Sequence, residues 1–144
     1  MRNLYKVPFV LYMKLQPQIL KKSNIIMVDV PESVGDFFLF QTQISSLEGC
    51  PKNILGNLTC QQCDNLIDLT GIDYVSGDII LDSCSKLNNL KPLSADFNGD
   101  LYIPGTAITA LKDIPPHVKH IYINAGMKKQ ITDIDDFKSK IRYA

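Results

Sequence analysis

The sequence predicts a β-rich solenoid, in which short parallel strands stack on one another and little helix lies on the back. Three observations predict this fold class. Apolar residues recur in fixed columns every 20 to 22 residues between Val34 and Ile114. A glycine followed by Asp or Asn opens each copy of the pattern, and a short alternating segment follows that pair. A fixed period of this length is typical of proteins built from stacked structural repeats.

Five apolar columns define the period. In chain order the columns are Phe37, Leu58, Ile79 and Leu101; Leu39, Cys60, Leu81 and Ile103; Ile44, Leu66, Leu87 and Ile108; Leu47, Leu69, Leu90 and Leu111; and Cys50, Ile72, Leu93 and Ile114. A partial further copy begins at Ile121 and Ile123. Because one copy cannot bury its apolar side alone, successive copies must stack, and both ends of the stack need caps.

The glycine-containing pairs predict tight turns ahead of the strands. Glycine permits positive φ angles, and an Asp or Asn side chain bonds the local backbone, so we expect each turn to use both properties. The glycines are Gly35, Gly56, Gly77 and Gly99. In the first alternating segment Phe37 and Leu39 face the core. Phe38 and Phe40 therefore face outward.

The connection from one strand to the next is short. About 15 residues remain after each strand, which is too few for an α-helix with two loops. We therefore expect extended or 3₁₀ segments on the back. We also expect the strands to pair in parallel, because every copy returns in the same direction.

The pattern divides the chain into three parts. Residues 1–28 form an N-terminal cap segment, residues 29–126 form four full coils with partial end coils, and residues 127–144 form a C-terminal cap with a short helix. In the N-terminal cap, residues 4–15 are apolar without clean periodicity and fit either a strand or a buried helix. Pro17 fits the first turn of a short helix that runs to Lys22.

The C-terminal cap carries a helix signal. Thr132 and Asp135 have the spacing of a capping box,. Apolar residues follow at helical spacing, namely Ile134, Phe137 and Ile141. We therefore expect a C-terminal cap helix over these residues.

Charge is balanced overall but unevenly distributed. Residues 1–28 hold five bases and no acids, residues 29–110 hold eleven acids against three bases, and residues 111–144 hold seven bases against four acids. The acidic middle would repel a phosphate backbone, so we expect no nucleic-acid partner.

No run approaches the roughly 18 apolar residues of a membrane span. The apolar stretch after Lys6 lacks a signal-peptide cleavage site, which favours a cytoplasmic location.

Four cysteines raise the question of redox or zinc chemistry. Cys60 and Cys63 form a C-x-x-C pair, but Cys60 and Cys50 stand in apolar columns. Cys63 and Cys84 share a column with Thr42 and Thr106. From Thr42 onward, successive members of this column are 21, 21 and 22 residues apart. Buried free cysteine behaves as a small apolar residue. We therefore expect four core thiols and neither a metal nor a cofactor.

The periodic segments resemble leucine-rich repeats. Leu55, Leu58, Cys60 and Cys63 match the general repeat pattern, with Leu66 offset by one residue,. Residues 34–51 are similar to a repeat of about 21 residues found in tailed-phage and bacterial proteins. The resemblance covers about residues 29–126 and implies a phage or bacterial source, but it implies little about activity. One departure is that Thr or Cys replaces the usual turn asparagine, at Thr42, Cys63, Cys84 and Thr106.

No catalytic constellation is visible in the sequence. A P-loop, a G-x-S-x-G elbow and an H-E-x-x-H motif are all absent,. The acids of the predicted cap helix fit a solvated first turn, and these are Asp133, Asp135 and Asp136,. His120 falls in the column of turn residues that also contains Asp100. We therefore expect a protein that is not an enzyme.

The outward side of the strands is the informative surface. Its first column reads Phe38, Thr59, Ile80, Tyr102 and Tyr122, and its second reads Phe40, Gln61, Asp82, Pro104 and Asn124. Clustered exposed aromatic residues are typical of interfaces. The candidate partner-binding residues are Phe38, Phe40, Gln61, Ile80, Asp82, Tyr102, Tyr122 and Asn124. In a competing interpretation, the N-terminal segment or a second subunit covers Phe38 and Phe40.

Two functional hypotheses follow from this surface. The first is a phage-encoded module that binds a host or phage protein through the strand face, in the bacterial cytoplasm. The alternative is a structural or self-assembling component, in which a homo-oligomer or a larger particle buries the aromatic residues at a fixed subunit contact. The identity of the partner does not follow from the residues.

Overall fold

Parallel strands dominate the computed structural model, which describes residues 5–15 and 25–144. The strands are β1 (Tyr5–Pro8), β2 (Ile25–Val28), β3 (Ser33–Val34), β4 (Phe37–Phe40), β5 (Asn53–Ile54), β6 (Leu58–Gln61), β7 (Tyr74–Val75), β8 (Ile79–Ile80), β9 (Leu101–Tyr102), β10 (Ile121–Ile123) and β11 (Ile141–Tyr143). The helical elements are α1 (Phe9–Leu15), α2 (Met127–Gln130) and a 3₁₀ turn (Ile134–Phe137). The prediction of a strand-rich, parallel architecture with little helix is confirmed.

A six-stranded parallel sheet forms one side of the molecule. Its strands lie in the order β11, β10, β9, β8, β6 and β4. The register joins Phe37, Leu58, Ile79, Leu101, Ile121 and Ile141 in one row across the sheet. The first five of these residues are the ones that the sequence period places in one column, so the period and the pairing register coincide.

The back of the molecule is made of extended pairs and turns, as the short connections predict. A second parallel sheet contains β3, β5 and β7. Beside it the same turn hydrogen bond recurs at the fifth column, where a backbone N–H donates to the carbonyl three residues earlier. The bonds are Cys50 to Leu47 (3.1 Å), Ile72 to Leu69 (3.2 Å), Leu93 to Leu90 (2.8 Å) and Ile114 to Leu111 (3.0 Å).

The core lies between the two sheets and contains the apolar columns. The first two columns are at most 1% exposed. Three residues of the other columns are only half-buried and pack against this core, namely Ile44, Leu93 and Ile114. A fully buried Leu or Ile side chain contributes about 1.5–3 kcal/mol to folding, so the columns supply most of the driving force.

A ladder of side-chain hydrogen bonds runs along the entry to the six-stranded sheet. The Oδ1 atom of Asp36 accepts from Asn57 N at 2.7 Å, and Oδ1 of Asn57 accepts from Asp78 N at 2.8 Å. Asp78 Oδ1 accepts from Asp100 N at 2.8 Å. Each turn therefore satisfies the backbone of the next turn, rather than its own.

The glycines beside this ladder have a different role from the one that the sequence predicts. None of them has a positive φ angle, so the prediction of left-handed turn glycines is wrong. Instead, a Cβ atom at Gly77 would lie 2.6 Å from the carbonyl oxygen of Gly56, and one at Gly99 would meet the carbonyl oxygen of Gly77. The close approach of successive backbones is the physical reason for glycine here. Left-handed residues follow the strands instead, at Gln41, Gln62, Ser83 and Gly105.

The C-terminal cap helix predicted through Ile141 is also wrong. Asp133 makes no capping hydrogen bond, and the hydroxyl of Thr132 donates to Thr109 O at 3.1 Å instead of closing a capping box. The helical residues end at Phe137, and Ile141 begins β11, which pairs with β10. The apolar spacing of Ile134 and Phe137 continues the chain's own period, which brings the segment back into the sheet.

The N-terminal part contains both a strand and a helix, which are the two alternatives that the sequence left open for residues 4–15. Strand β1 pairs in parallel with β2, and α1 follows it. The ring of Phe9 stacks on Phe37 at 6.1 Å, and Tyr12 is buried. Helix α1 therefore covers the β4 end of the core. The helix predicted from Pro17 to Lys22 lies outside the described residues.

Within the described ranges, no helix is long and apolar enough to cross a membrane.

We predict that Gly77→Ala lowers the free energy of unfolding by about 2 kcal/mol, because the added methyl group collides with backbone that has no room to yield. Gly35→Ala is the matched control, because nothing lies within 4 Å of its Cβ position. Urea unfolding measures both. A loss at Gly77 no larger than at Gly35, where we expect a change within about 0.5 kcal/mol, would contradict the close approach of the turns.

Candidate binding face

The six-stranded sheet places the predicted partner-binding residues on one face. Pairing of the strands aligns Phe38, Thr59, Ile80, Tyr102 and Tyr122. Phe40 and Gln61 pair in the second column, where Asp82 lies two residues after the end of β8 and Asn124 directly follows β10. Phe38 is 44% exposed and the other predicted residues are half-buried. The face is therefore continuous, and it is accessible at Phe38.

Two pairs of aromatic rings lie on this face, and register pairing of neighbouring strands brings one of them together. The rings of Tyr102 and Tyr122 lie 4.2 Å apart between centroids and only 4° from parallel. Phe38 and Phe40 lie on the same strand, and their centroids are 6.2 Å apart. Adjacent strands lie about 4.8 Å apart, so identical residues in register stack directly. Offset-stacked rings of this kind are rigid contact surfaces.

Two carboxylates, those of Asp78 and Asp100, influence the tyrosine pair electrostatically. Partial desolvation raises the pKa of Tyr102, and Tyr122, Asp100 and Asp78 raise it further, in that order. The two carboxylates are therefore close enough to disfavour a phenolate. Each uses one oxygen, Oδ1, in a hydrogen bond. The face thus combines aromatic rings with negative charge.

His120 belongs to the same cluster, which the sequence reasoning missed. Its Nδ1 atom lies 3.0 Å from Asp100 Oδ1, and its ring meets Tyr122 edge to face at 6.3 Å and 71°. The sequence interpretation treats His120 only as a turn residue. The signal available in the sequence was that His120 falls in the same column as Asp100. The side chains of that column form the hydrogen-bonded ladder.

Asn124 has a structural task as well as a place on the face. Its Oδ1 atom accepts from Met127 N at 3.1 Å, which fixes the start of α2. Asp82 accepts from the hydroxyl of Ser83 at 2.9 Å. Substitution of either residue would therefore disturb the local backbone as well as the surface, so neither is a clean probe of binding.

The cysteines lie in the core and are free thiols. Burial raises the pKa of Cys60, and it raises that of Cys50 to about 12. The Sγ atom of Cys84 donates to Cys60 O at 3.2 Å, and Cys63 accepts from the Thr42 hydroxyl at 3.4 Å. The column that contains Thr42, Cys63 and Cys84 thus provides weak donors and acceptors to the turn. Among the described residues, no group of three or more His, Cys, Asp or Glu side chains is arranged to hold a metal ion.

Comparison with known proteins adds no relative to these observations. No protein-family model, no curated protein and no solved structure matches the chain. The geometry of the strand face is therefore the basis for a functional proposal.

We predict that a thiol reagent labels none of the four cysteines in the folded protein in mildly alkaline buffer, and labels all four after denaturation in guanidinium chloride. Burial keeps all four sulfur atoms away from the reagent, including that of Cys63, although hydrogen bonds with Cys84 and Thr42 lower the pKa of Cys63,. Absorbance of the released chromophore measures the count. Rapid stoichiometric labelling of Cys60 or Cys63 without unfolding would restore a redox interpretation of the C-x-x-C pair.

Proposed function

We propose that the chain is a leucine-rich-repeat solenoid that binds another protein through its strand face and catalyses no reaction. A phage origin and action in the bacterial cytoplasm are part of the proposal. The resemblance of the repeats supports the origin, and the buried free thiols fit a reducing compartment,.

The stacked Tyr102 and Tyr122 pair is the observation that carries the proposal. Tyrosine buries a large area on binding and loses little conformational freedom, since it has only two side-chain torsions. Stacking already orders both rings, so little of their freedom remains to be lost. Preorganised aromatic residues of this kind dominate the energetics of protein interfaces.

The charge around the pair supports a particular class of partner. The charges of Asp78 and Asp100 contribute to the raised pKa of Tyr102, and each residue keeps one carboxylate oxygen outside the ladder bonds given above. Residues 29–110 carry eleven acids against three bases. A partner that presents Arg or Lys would pair with the carboxylates, and its guanidinium groups would also contact the aromatic rings. We therefore propose a basic protein segment as the occupant of the strand face.

We predict that the double variant Tyr102→Ala, Tyr122→Ala binds the partner at least about tenfold more weakly than the wild type, as expected for the loss of a hot spot. Proteins captured from the host lysate by the immobilised wild type would be identified by mass spectrometry, and the affinity of the recovered partner would be measured by calorimetry. Added salt weakens binding, because exposed charge pairs are screened.

The matched control is Tyr74→Ala. Tyr74 is 44% exposed, but it lies in β7 of the other sheet, so its loss should leave binding unchanged. Equal losses in the control and in the double variant would contradict the strand face as the binding surface. An oligomer of constant size that shields Tyr102 and Tyr122 would instead support the structural alternative.

A further inference from the structure

Strand β11 forms an outer edge of the six-stranded sheet. It pairs with β10 on one side and stands last in the strand order. Its other side has no neighbouring strand among the described residues. This edge adjoins the strand face, because Arg142 pairs with Tyr122, but none of the eight candidate partner-binding residues lies in β11.

The core-facing residues of β11 are uncovered. In the second apolar column Leu39, Cys60, Leu81, Ile103 and Ile123 are all 0% exposed, whereas Tyr143 in the same column is 55% exposed. Ile141 is half-buried, although its pairing partner Ile121 is 0% exposed. A groove of about 240 Å³ opens at this end, lined by Lys128, Ile134, Asp135, Lys138, Ile141 and Tyr143. The apolar side chains of this groove, Ile134, Ile141 and Tyr143, form a surface on which one more strand could pack.

The backbone of β11 is oriented to accept that strand. In the preceding strands, the N–H groups of the core-facing residues donate to the next strand. Leu101 N donates to His120 O at 2.9 Å, Ile103 N to Tyr122 O at 2.9 Å, and Ile121 N to Lys140 O at 2.8 Å. The equivalent groups of β11 are the N–H groups of Ile141 and Tyr143, which point away from β10. They form a ready pair of donors.

The side chain of Arg142 hydrogen-bonds to backbone carbonyls at the same edge. Its Nη1 atom donates to Ile141 O at 2.8 Å and to Ser139 O at 3.2 Å. A charged side chain folded over an edge carbonyl discourages uncontrolled strand pairing. An incoming strand with a carboxylate opposite Arg142 would take over the guanidinium and release the Ile141 carbonyl for a backbone bond.

Charge favours an acidic segment of another protein over a second copy of this chain. Residues 111–144 carry seven bases against four acids, and residues 1–28 carry five bases and no acids. Pairing of two β11 edges would bring Arg142 and its basic neighbours against the same residues of the partner. Stacking of β11 on the opposite end of another copy would bring this basic segment toward Lys6 of β1 and Lys14 of α1, and α1 already covers that end. Like charges directly opposite destabilise a strand pair.

We propose that the β11 edge binds an extended acidic segment of another protein as an added β-strand. Apolar residues of the segment lie beside Ile141 and Tyr143 and fill the groove, and an acidic residue between them faces Arg142. Backbone hydrogen bonds supply affinity, and the alternation of side chains supplies specificity. This interaction is independent of the strand-face proposal, because the two surfaces share no residue.

The test uses two labelled synthetic peptides, one of alternating valine and glutamate and one of alternating valine and lysine. Fluorescence anisotropy measures their binding to the full chain. We expect the glutamate peptide to bind at least about tenfold more tightly. Tyr143→Pro should weaken its binding about tenfold more than Tyr143→Ala does, because only proline removes the edge N–H. Urea unfolding of both variants verifies that they fold, which is expected because that N–H points away from β10, where no other strand of the described residues lies.

Several outcomes would overturn the proposal. These are no saturable binding of the glutamate peptide to the wild type, equal binding of the two peptides, and equal affinity in the proline and alanine variants. Sedimentation of the wild type over a range of concentrations addresses the second copy. A dimer that Tyr143→Pro dissociates would identify a second copy as the occupant. The Tyr102→Ala, Tyr122→Ala variant should bind the peptide normally, so failure here is distinguishable from failure of the strand-face proposal.

Discussion

Close stacking of successive turns, one hydrogen-bonded strand spacing apart, is the constraint on which the rest of the structure depends. The carboxylate or amide of one turn accepts the backbone N–H of the next, from Asp36 to Asp100. This bond forms only if the two backbones approach closely, which explains the glycines at Gly56, Gly77 and Gly99, whereas nothing crowds Gly35 at the first turn. Once the turns are stacked, the strands that follow them pair in register.

In-register stacking also explains how one short period produces both a core and a surface. Residues that occupy one column meet their equivalents in the next strand, so an apolar column becomes a continuous buried row. The same rule places Tyr122 directly on Tyr102. It places Cys60 between Leu39 and Leu81 in a row that is 0% exposed, which removes it from contact with solvent. Both cysteines of the C-x-x-C pair are therefore part of the core.

Much of this could be predicted from the sequence because the physical signal is periodic. The columns predicted the row from Phe37 to Ile121, and strict alternation predicted that Tyr102 and Tyr122 share a face. Features that depend on spatial approach could not be predicted in this way. The crowding at Gly77 arises from a backbone 21 residues away, so local turn rules led to the wrong reason for the glycine. The contact between His120 and Asp100 was missed because His120 occupies the column of turn residues. It was therefore interpreted as one more turn residue.

The C-terminal segment shows how two periods compete within a short sequence. Ile134 and Phe137 fit helical spacing, yet they also continue the longer period that ends at Ile141, and the longer period prevails because it buries the segment against the sheet. NMR couplings across hydrogen bonds test the stacking register most directly. The account predicts couplings from Leu101 N to the His120 carbonyl and from Ile121 N to the Lys140 carbonyl. Helical couplings between Phe137 and Ile141, or antiparallel pairing of β9 with β10, would contradict it.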